Sequence, residues 1–128
     1  MNSCPNIAQK EVRKRLTIGY VGLFATLITV IYTLFYNQSD LRFLVFFPAI
    51  LTTVTLFEVL DRTCIVYAYL GIKNMGDKYQ KEREDNSLKV QRMQSFKIVF
   101  KALVVASLIT VHLITLGLLV HSHILLRD

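Results

Sequence analysis

This chain has few residues that break helices and few that carry chemistry. Its 128 residues include two prolines, five glycines and two cysteines, and only 19% are charged. The shortage of proline and glycine excludes a low-complexity linker. The cysteines, Cys4 and Cys64, form no C-x-x-C pair, so a zinc or redox motif is not supported. Charges this sparse, and confined to a few segments, also exclude the surface of an ordinary soluble domain.

The chain is instead rich in long hydrophobic stretches. Hydrophobic residues make up 53% of the chain, and three apolar stretches cover residues 16–36, 41–60 and 98–120. Each is near the ~20 residues that a helix needs to cross a bilayer. The sequence therefore predicts an all-α membrane protein with three transmembrane helices. The polar remainder is too short to bury a second core, so we expect residues 1–128 to form a single membrane domain.

The placement of the positive charges predicts the orientation. The formal net charge is +6, and basic residues are concentrated in residues 10–15 and 73–101, whereas the opposite side offers only Arg42 and Arg127. By the positive-inside rule, the N-terminus is in and the C-terminus is out. We expect a multi-pass membrane protein, in contact with the lipid bilayer; the resemblance described below implies the bacterial inner membrane. Aromatic residues are not interleaved with the basic ones, which argues against a nucleic-acid partner.

The second span carries a proline and ends in charges. Pro48 lies near its outer end and predicts a kink, with Thr52 and Thr53 placed to satisfy the freed backbone groups. Glu58 and Arg62 are four residues apart on one helical face. They are predicted to form an ion pair at the membrane interface.

Two segments separate the second span from the third. Residues 63–72 are apolar but too short to cross the bilayer, so we expect them to continue the helix into the headgroups or to lie along the inner surface. Residues 73–97 are predicted to be a cytoplasmic loop. Within it, residues 77–94 are polar enough to be a solvated helix or a partly disordered loop.

Small residues recur along the first and third spans and predict helix packing. Small side chains let helix backbones approach closely, and we expect the two small-residue faces to meet inside the subunit. The predicted packing residues are Gly22, Thr29, Ala102, Ala106, Thr110 and Gly117.

The third span also carries polar residues, which we call the polar stripe: Lys101, His112 and His123. They are spaced by eleven residues, which is about three helical turns, so they share one face. That face points more than about 100° away from the small residues of the same helix. The polar stripe is therefore predicted to face a partner protein.

His112 is the residue of this stripe closest to the bilayer centre, where an ionisable side chain is a functional candidate by default. A membrane b-type haem usually needs two histidines from facing helices, and the first two spans contain none. His112 is thus only a weak cofactor candidate, beside a proton or ion pathway and a neutral histidine hydrogen-bonded to a neighbour. A metal at His121 and His123 is not predicted, because side chains two residues apart diverge on a helix.

The predicted topology puts Cys4 and Cys64 on the cytoplasmic side, where thiols stay reduced. Cys64 is the candidate thiol. It is either an inert interfacial cysteine or a residue for sulfur handling or acylation.

Two groups of residues carry a resemblance to a known family. The first group is Asn6-Ile7, Glu11, Arg15 and Gly19, and the second is Cys64, Tyr67 and Leu70-Gly71-Ile72. They resemble the opening and closing signatures of the small bacterial YgaP-like inner-membrane domain, a two-span domain, over residues ~6–73. The resemblance implies a two-helix membrane unit, and Cys64 is the only residue that would carry sulfur chemistry by analogy.

The chain also departs from that family. Ile65 replaces the family proline, Val12 stands where a basic residue is expected, the fused rhodanese domain is absent and a third span is added. A fold-level likeness argues fold better than function.

The residues together predict a non-catalytic accessory or assembly subunit of a larger membrane complex, with other integral membrane protein subunits as partners. Three short helices enclose little interior, and the polar stripe faces away from the predicted packing faces. The alternative is a small membrane carrier or sulfur-relay component that uses Cys64. A holin-like pore former is third, although the usual basic C-terminal tail is missing. No enzymatic activity, metal or cofactor is predicted.

Overall fold

The computed structural model describes residues 5–36, 40–76 and 78–127. Its elements are α1 (Gln9–Tyr36), a 3-10 helix (Asp40–Val45), α2 (Phe46–Asp61), α3 (Ile65–Leu70), β1 (Ile72–Asn74), β2 (Tyr79–Lys81) and α4 (Asp85–Leu125). Three helical segments are long and apolar enough to cross a membrane: α1, the 3-10 helix together with α2, and α4. The prediction of a mostly helical chain with three candidate spans is confirmed.

The second span changes helix type where the sequence predicts a kink. It runs as a 3-10 helix to Val45 and becomes α-helical at Phe46, with Pro48 in the first turn of α2. Proline has no N–H to donate to the preceding turn, so the change of helix type falls at the position it disrupts. The hydroxyls of Thr52 and Thr53 donate to the carbonyls of Pro48 and Ala49, at 2.8 and 2.9 Å. They do not reach the carbonyls before Pro48, because a helical threonine bonds only three or four residues back.

The segment after α2 does not continue that helix. Arg62 adopts a left-handed conformation with φ 49° and ends α2, and the six residues of α3 follow. Gly71 then ends α3 with φ 66°, a conformation that glycine adopts without strain. Of the two expectations for residues 63–72, continuation of the helix is therefore wrong.

Residues 73–97 contain a hairpin, which was not predicted, and the start of a helix, which is one of the two alternatives predicted for residues 77–94. The first part is a two-stranded antiparallel hairpin in which Lys73 pairs with Gln80, and α4 already begins at Asp85. The buried positions Gln91 and Ser95 lie on the same helical face as the buried apolar positions further along α4. One face therefore packs from Gln91 to Gly117, which explains why the polar start of α4 is helical.

α2 lies between α1 and α4, so the two small-residue faces contact α2 rather than each other. At Gly22, an added Cβ would be 2.7 Å from Thr52 Oγ1 on α2. On the other side of α2, the Thr53 hydroxyl lies 3.4 Å from the carbonyl of Ala102. α2 carries hydroxyl-bearing threonines on both sides, and their small volume lets both neighbours approach.

The other predicted packing residues are buried to different extents. Ala102, Ala106, Thr110 and Gly117 are buried. Thr29 is only partly buried, and its hydroxyl donates to the carbonyl of Ala25 at 2.8 Å.

Candidate functional site

Polar side chains converge at one end of the bundle, which we call the basic end. It consists of residues 5–15, at the N-terminal side of α1, and residues 58–76 and 78–97, from the end of α2 to the polar start of α4. Both basic segments of the sequence thus lie at the same end, whereas α4 carries the C-terminus to the opposite end.

Glu58 and Arg15 form the central ion pair of the basic end. Arg15 Nη1 lies 2.6 Å from Glu58 Oε2, and the two side chains are 19% and 5% exposed. The other carboxylate oxygen accepts the backbone N–H of Ile65 at 2.9 Å and so satisfies the first N–H of α3. The predicted pairing of Glu58 with Arg62 is wrong. An i,i+4 pair requires helical backbone at both residues, and Arg62 has left the helix.

Cys64 is fully buried beside this ion pair. Its Sγ accepts a hydrogen bond from Arg15 Nη2 at 2.8 Å. Its backbone N–H donates to Asn6 Oδ1 at 2.7 Å, and its carbonyl accepts from Asn6 Nδ2 at 3.1 Å. Burial raises the pKa of the Cys64 thiol, and this outweighs the lowering by the backbone of Tyr67 and by Arg15. The thiol is therefore protonated at neutral pH.

The N-terminal arm is tied to two other segments by its backbone. The N–H of Asn6 donates to the carbonyl of Arg62 at 3.2 Å, and the carbonyl of Asn6 accepts the N–H of Asn74 at 2.8 Å. Ala8 then donates to the carbonyl of Asn74 at 2.7 Å, and Ile7 forms a parallel bridge with Asn74. The arm therefore closes the gap between the α2–α3 link and β1.

Tyr67 covers the exposed side of Arg15. The guanidinium carbon lies 5.7 Å from the centre of the Tyr67 ring, within cation–π range. The Tyr67 hydroxyl donates to that of Tyr79 at 3.4 Å, and the rings meet edge to face. This hydrogen bond, together with burial, raises the pKa of Tyr67 to about 12.

The structure thus brings together residues that the sequence holds far apart. Asn6 and Arg15 come from the first group of the resemblance, and Cys64 and Tyr67 come from the second. Sequence reasoning missed the link through Glu58. Arg15 looks like one more basic residue before a span, and an isolated carboxylate in an apolar stretch was the only signal that a distant cation was needed.

The polar stripe on α4 is not gathered into a cluster. Lys101, His112 and His123 are all exposed, and successive members are about 16 Å apart along the helix. Lys101 bends toward α2, where its Nζ lies 5.9 Å from the centre of the Phe57 ring. The carbonyl of His112 accepts the Thr115 hydroxyl at 2.8 Å, while its imidazole points outward.

Within residues 5–36, 40–76 and 78–127, no three histidine, cysteine, aspartate or glutamate side chains come close enough to hold a metal ion. Cys4 lies outside the described residues. The buried Nε of Arg15 has no hydrogen-bond acceptor among the residues that the structure describes.

Comparison with known proteins returned no relatives: no family model, curated protein or solved structure matches the chain. The contacts of the basic end and of α4 are therefore the basis for a functional proposal. At the basic end, a protonated thiol and a paired carboxylate hold three segments together.

Proposed function

We propose that this chain is a non-catalytic accessory or assembly subunit of a larger bacterial inner-membrane complex, with its N-terminus in and its C-terminus out. The observation that carries the proposal is the outward-pointing imidazole of His112. It lies about 16 Å beyond Lys101, roughly half the ~30 Å thickness of the hydrocarbon core.

Lipid cannot satisfy such a side chain. Acyl chains neither donate nor accept hydrogen bonds, and ionisable residues inside membranes normally face other protein groups or water-filled cavities. The residues of α4 that pack within this chain lie on another face of the helix. A second integral membrane protein on the polar stripe would supply the missing partner.

The basic end supports a structural rather than a catalytic role. A carrier or sulfur relay needs an accessible thiolate, because the thiolate is the nucleophile. Cys64 is fully buried, and burial raises the pKa of its thiol. The sulfur-relay alternative is therefore the weaker proposal, although Cys64 remains the residue that would carry it.

The proposed orientation rests on the common location of both basic segments. Residues 10–15 and 73–97 lie at one end, so a single side of the membrane would hold nearly all the positive charge, as the positive-inside rule requires. A reporter that is active only outside the cytoplasm should work when fused after Asp128 and fail when inserted near Asn86. The reverse pattern would overturn the orientation.

We also propose that residues 6–73 form a unit related to the YgaP-like inner-membrane domain. The proposal is supported by the contacts of Asn6 and Arg15 with Cys64. Through these contacts, the two groups of residues that carry the resemblance join the base of the two-helix hairpin formed by α1 and α2.

The subunit proposal is tested by replacing His112 with leucine. The change removes an interhelical hydrogen bond worth about 0.6 to 2 kcal/mol in a membrane and keeps the span apolar. The variant should still reach the membrane but co-purify less of its partner, measured by mass spectrometry after extraction in mild detergent.

The matched control is Thr115→Val. Its hydroxyl is already satisfied within the chain by the carbonyl of His112, so its removal should leave co-purification unchanged. A wild-type chain that runs alone or as a plain homo-oligomer, with no effect of His112→Leu, would rule out the subunit proposal.

A further inference from the structure

A positively charged cavity of about 410 Å³ lies beside the hairpin at the basic end. It is lined by Lys73, Gln80, Lys81, Glu82 and Arg83. This is a volume in the range of small-ligand sites. Four of its five lining residues are consecutive, and Lys73 joins them because β1 pairs with β2.

The charges that line the cavity do not cancel. Lys73 Nζ lies 3.3 Å from Glu82 Oε2, so the single carboxylate is matched by one lysine. Although burial tends to raise it, the pKa of Glu82 is lowered by the Lys73 hydrogen bond and by nearby backbone N–H groups. Lys81 and Arg83 are exposed and form no ion pair within the described part of the chain. The cavity thus carries two unmatched positive charges.

The backbone around the cavity is held in place. The N–H of Glu82 donates to the carbonyl of Gly71 at 2.8 Å and fixes the end of β2 against the end of α3. The Glu82 carboxylate is also 3.5 Å from Nε2 of the buried Gln91 on α4. Lys81 and Arg83 therefore flank Glu82, which is held by its backbone on one side and by its carboxylate on the other.

The cavity also lies next to an apolar surface. Val66, Tyr69 and Leu70 of α3 are 59%, 57% and 62% exposed, and β1 follows α3 after Gly71 alone. Exposed apolar and tyrosine side chains at the end of a membrane-spanning bundle are typical of the lipid interface. With these side chains at the lipid interface, the cations would lie near the depth of lipid phosphate groups.

We propose that this cavity binds a phosphate group, as carried by an anionic lipid headgroup or by free phosphate. Arg83 offers a planar fork of donors that matches phosphate oxygens, and Lys81 adds a second charge. The proposal does not depend on the identity of any protein partner.

The test compares two double variants of the full chain in lipid nanodiscs. Lys81→Gln with Arg83→Gln removes the two unmatched cations of the cavity. Lys89→Gln with Arg92→Gln removes two exposed charges from the start of α4, which do not line the cavity. In phosphatidylcholine discs that contain some phosphatidylglycerol, native mass spectrometry measures the phosphatidylglycerol retained by each protein.

At about 1 kcal/mol per basic residue near an anionic lipid, the cavity variant should bind phosphatidylglycerol about 30-fold more weakly. The control should change binding less than about threefold, because Lys89 and Arg92 do not line the cavity and can act on a bound phosphate only from a screened distance. Equal losses in the two variants would overturn the proposal, since general surface charge would then explain binding. No retention by the wild-type chain, in this arm and in the phosphate arm, would also overturn it.

The second arm separates the two sources of phosphate. Inorganic phosphate is titrated into the chain in pure phosphatidylcholine discs and followed by calorimetry. Heat that disappears in the cavity variant and persists in the control assigns the cavity to free phosphate. Phosphatidylglycerol retention without such heat assigns it to a lipid headgroup.

Discussion

The basic end and the polar stripe of α4 both place polar side chains next to apolar surroundings. The two places differ in whether those side chains find hydrogen-bond partners within this chain. At the basic end, Glu58 meets both Arg15 and the first N–H of α3, and Cys64 is bonded through its sulfur and its backbone. On α4, the His112 side chain points outward. The first arrangement stabilises this chain by itself, whereas the second leaves a side chain for another molecule to satisfy. Mutations should therefore affect folding at one place and association at the other.

The largest effect is expected from Glu58→Ala. It leaves the Arg15 charge partly buried and unpaired, and removing one partner of a buried pair costs about 3 to 5 kcal/mol. Because Arg15 is 19% exposed, we expect the lower end of that range. The measurement is the free energy of unfolding in mixed micelles titrated with dodecyl sulfate.

The matched control for Glu58→Ala is Glu11→Ala, which breaks the Lys14–Glu11 pair within α1. That pair spans 3.0 Å, but its lysine is 64% exposed, so its loss should cost about 0.5 kcal/mol or less. The double variant Arg15→Met, Glu58→Leu should recover part of the loss, since it leaves no buried charge, although the N–H of Ile65 still lacks its acceptor. Equal losses of unfolding free energy in Glu58→Ala and Glu11→Ala would show that the Glu58–Arg15 pair stabilises the fold no more than an exposed pair does.

The next effect in size is expected from Gly22→Leu. An added Cβ would already be 2.7 Å from Thr52 Oγ1, so the larger side chain must push α1 away from α2. Overpacking of this kind costs about 1 to 3 kcal/mol in the unfolding free energy. Gly76→Ala is the control, because no heavy atom lies within 4 Å of a Cβ there. An unchanged stability of Gly22→Leu would show that this interface tolerates separation.

A smaller effect is expected at Cys64, and it depends on pH. Because the pKa of the thiol is raised in the folded chain, its contribution to stability is complete below the unfolded value of about 8.5. That contribution is lost as the pH rises through the folded value. In a Cys4→Ser background, alkylation by a membrane-permeable maleimide should be slow at neutral pH and should accelerate in alkali.

The same residue distinguishes the two proposed functions. Cys64→Ser is nearly isosteric and keeps an acceptor for Arg15, so it should change stability by about 1 kcal/mol or less. It should leave the phenotype intact. Rapid alkylation at neutral pH, or loss of activity at normal abundance, would favour the sulfur-relay alternative.

The sequence predicted the spans because apolar length is a local property. Residues 16–36, 41–60 and 98–120 all fall within helices of the fold, with the second partly 3-10. A helix over residues 85–97 was only one of two alternatives, because its polar residues lack the apolar signal and its buried face carries Gln91 and Ser95.

The candidate site could be predicted only in part. The spacing of Glu58 and Arg62 suggested a local ion pair, since nothing in the chain marks the left-handed turn at Arg62. The true partner of Glu58 is 43 residues away. Long-range pairs of this kind depend on how the helices pack, which local spacing does not encode. The outward direction of the polar stripe was predictable, because it follows from helical periodicity alone.

The length of α4 has a mechanical consequence. Its 41 residues extend about 60 Å, and the polar residues 85–97 at its start account for about 20 Å of that length. A continuous helix moves as one body when it tilts. A change in tilt of about 20°, the usual tilt of a membrane helix, would displace the far end of a 20 Å segment sideways by about 7 Å. Because α3 packs against α4, a partner that altered the tilt of the apolar part would also displace α3 at the basic end.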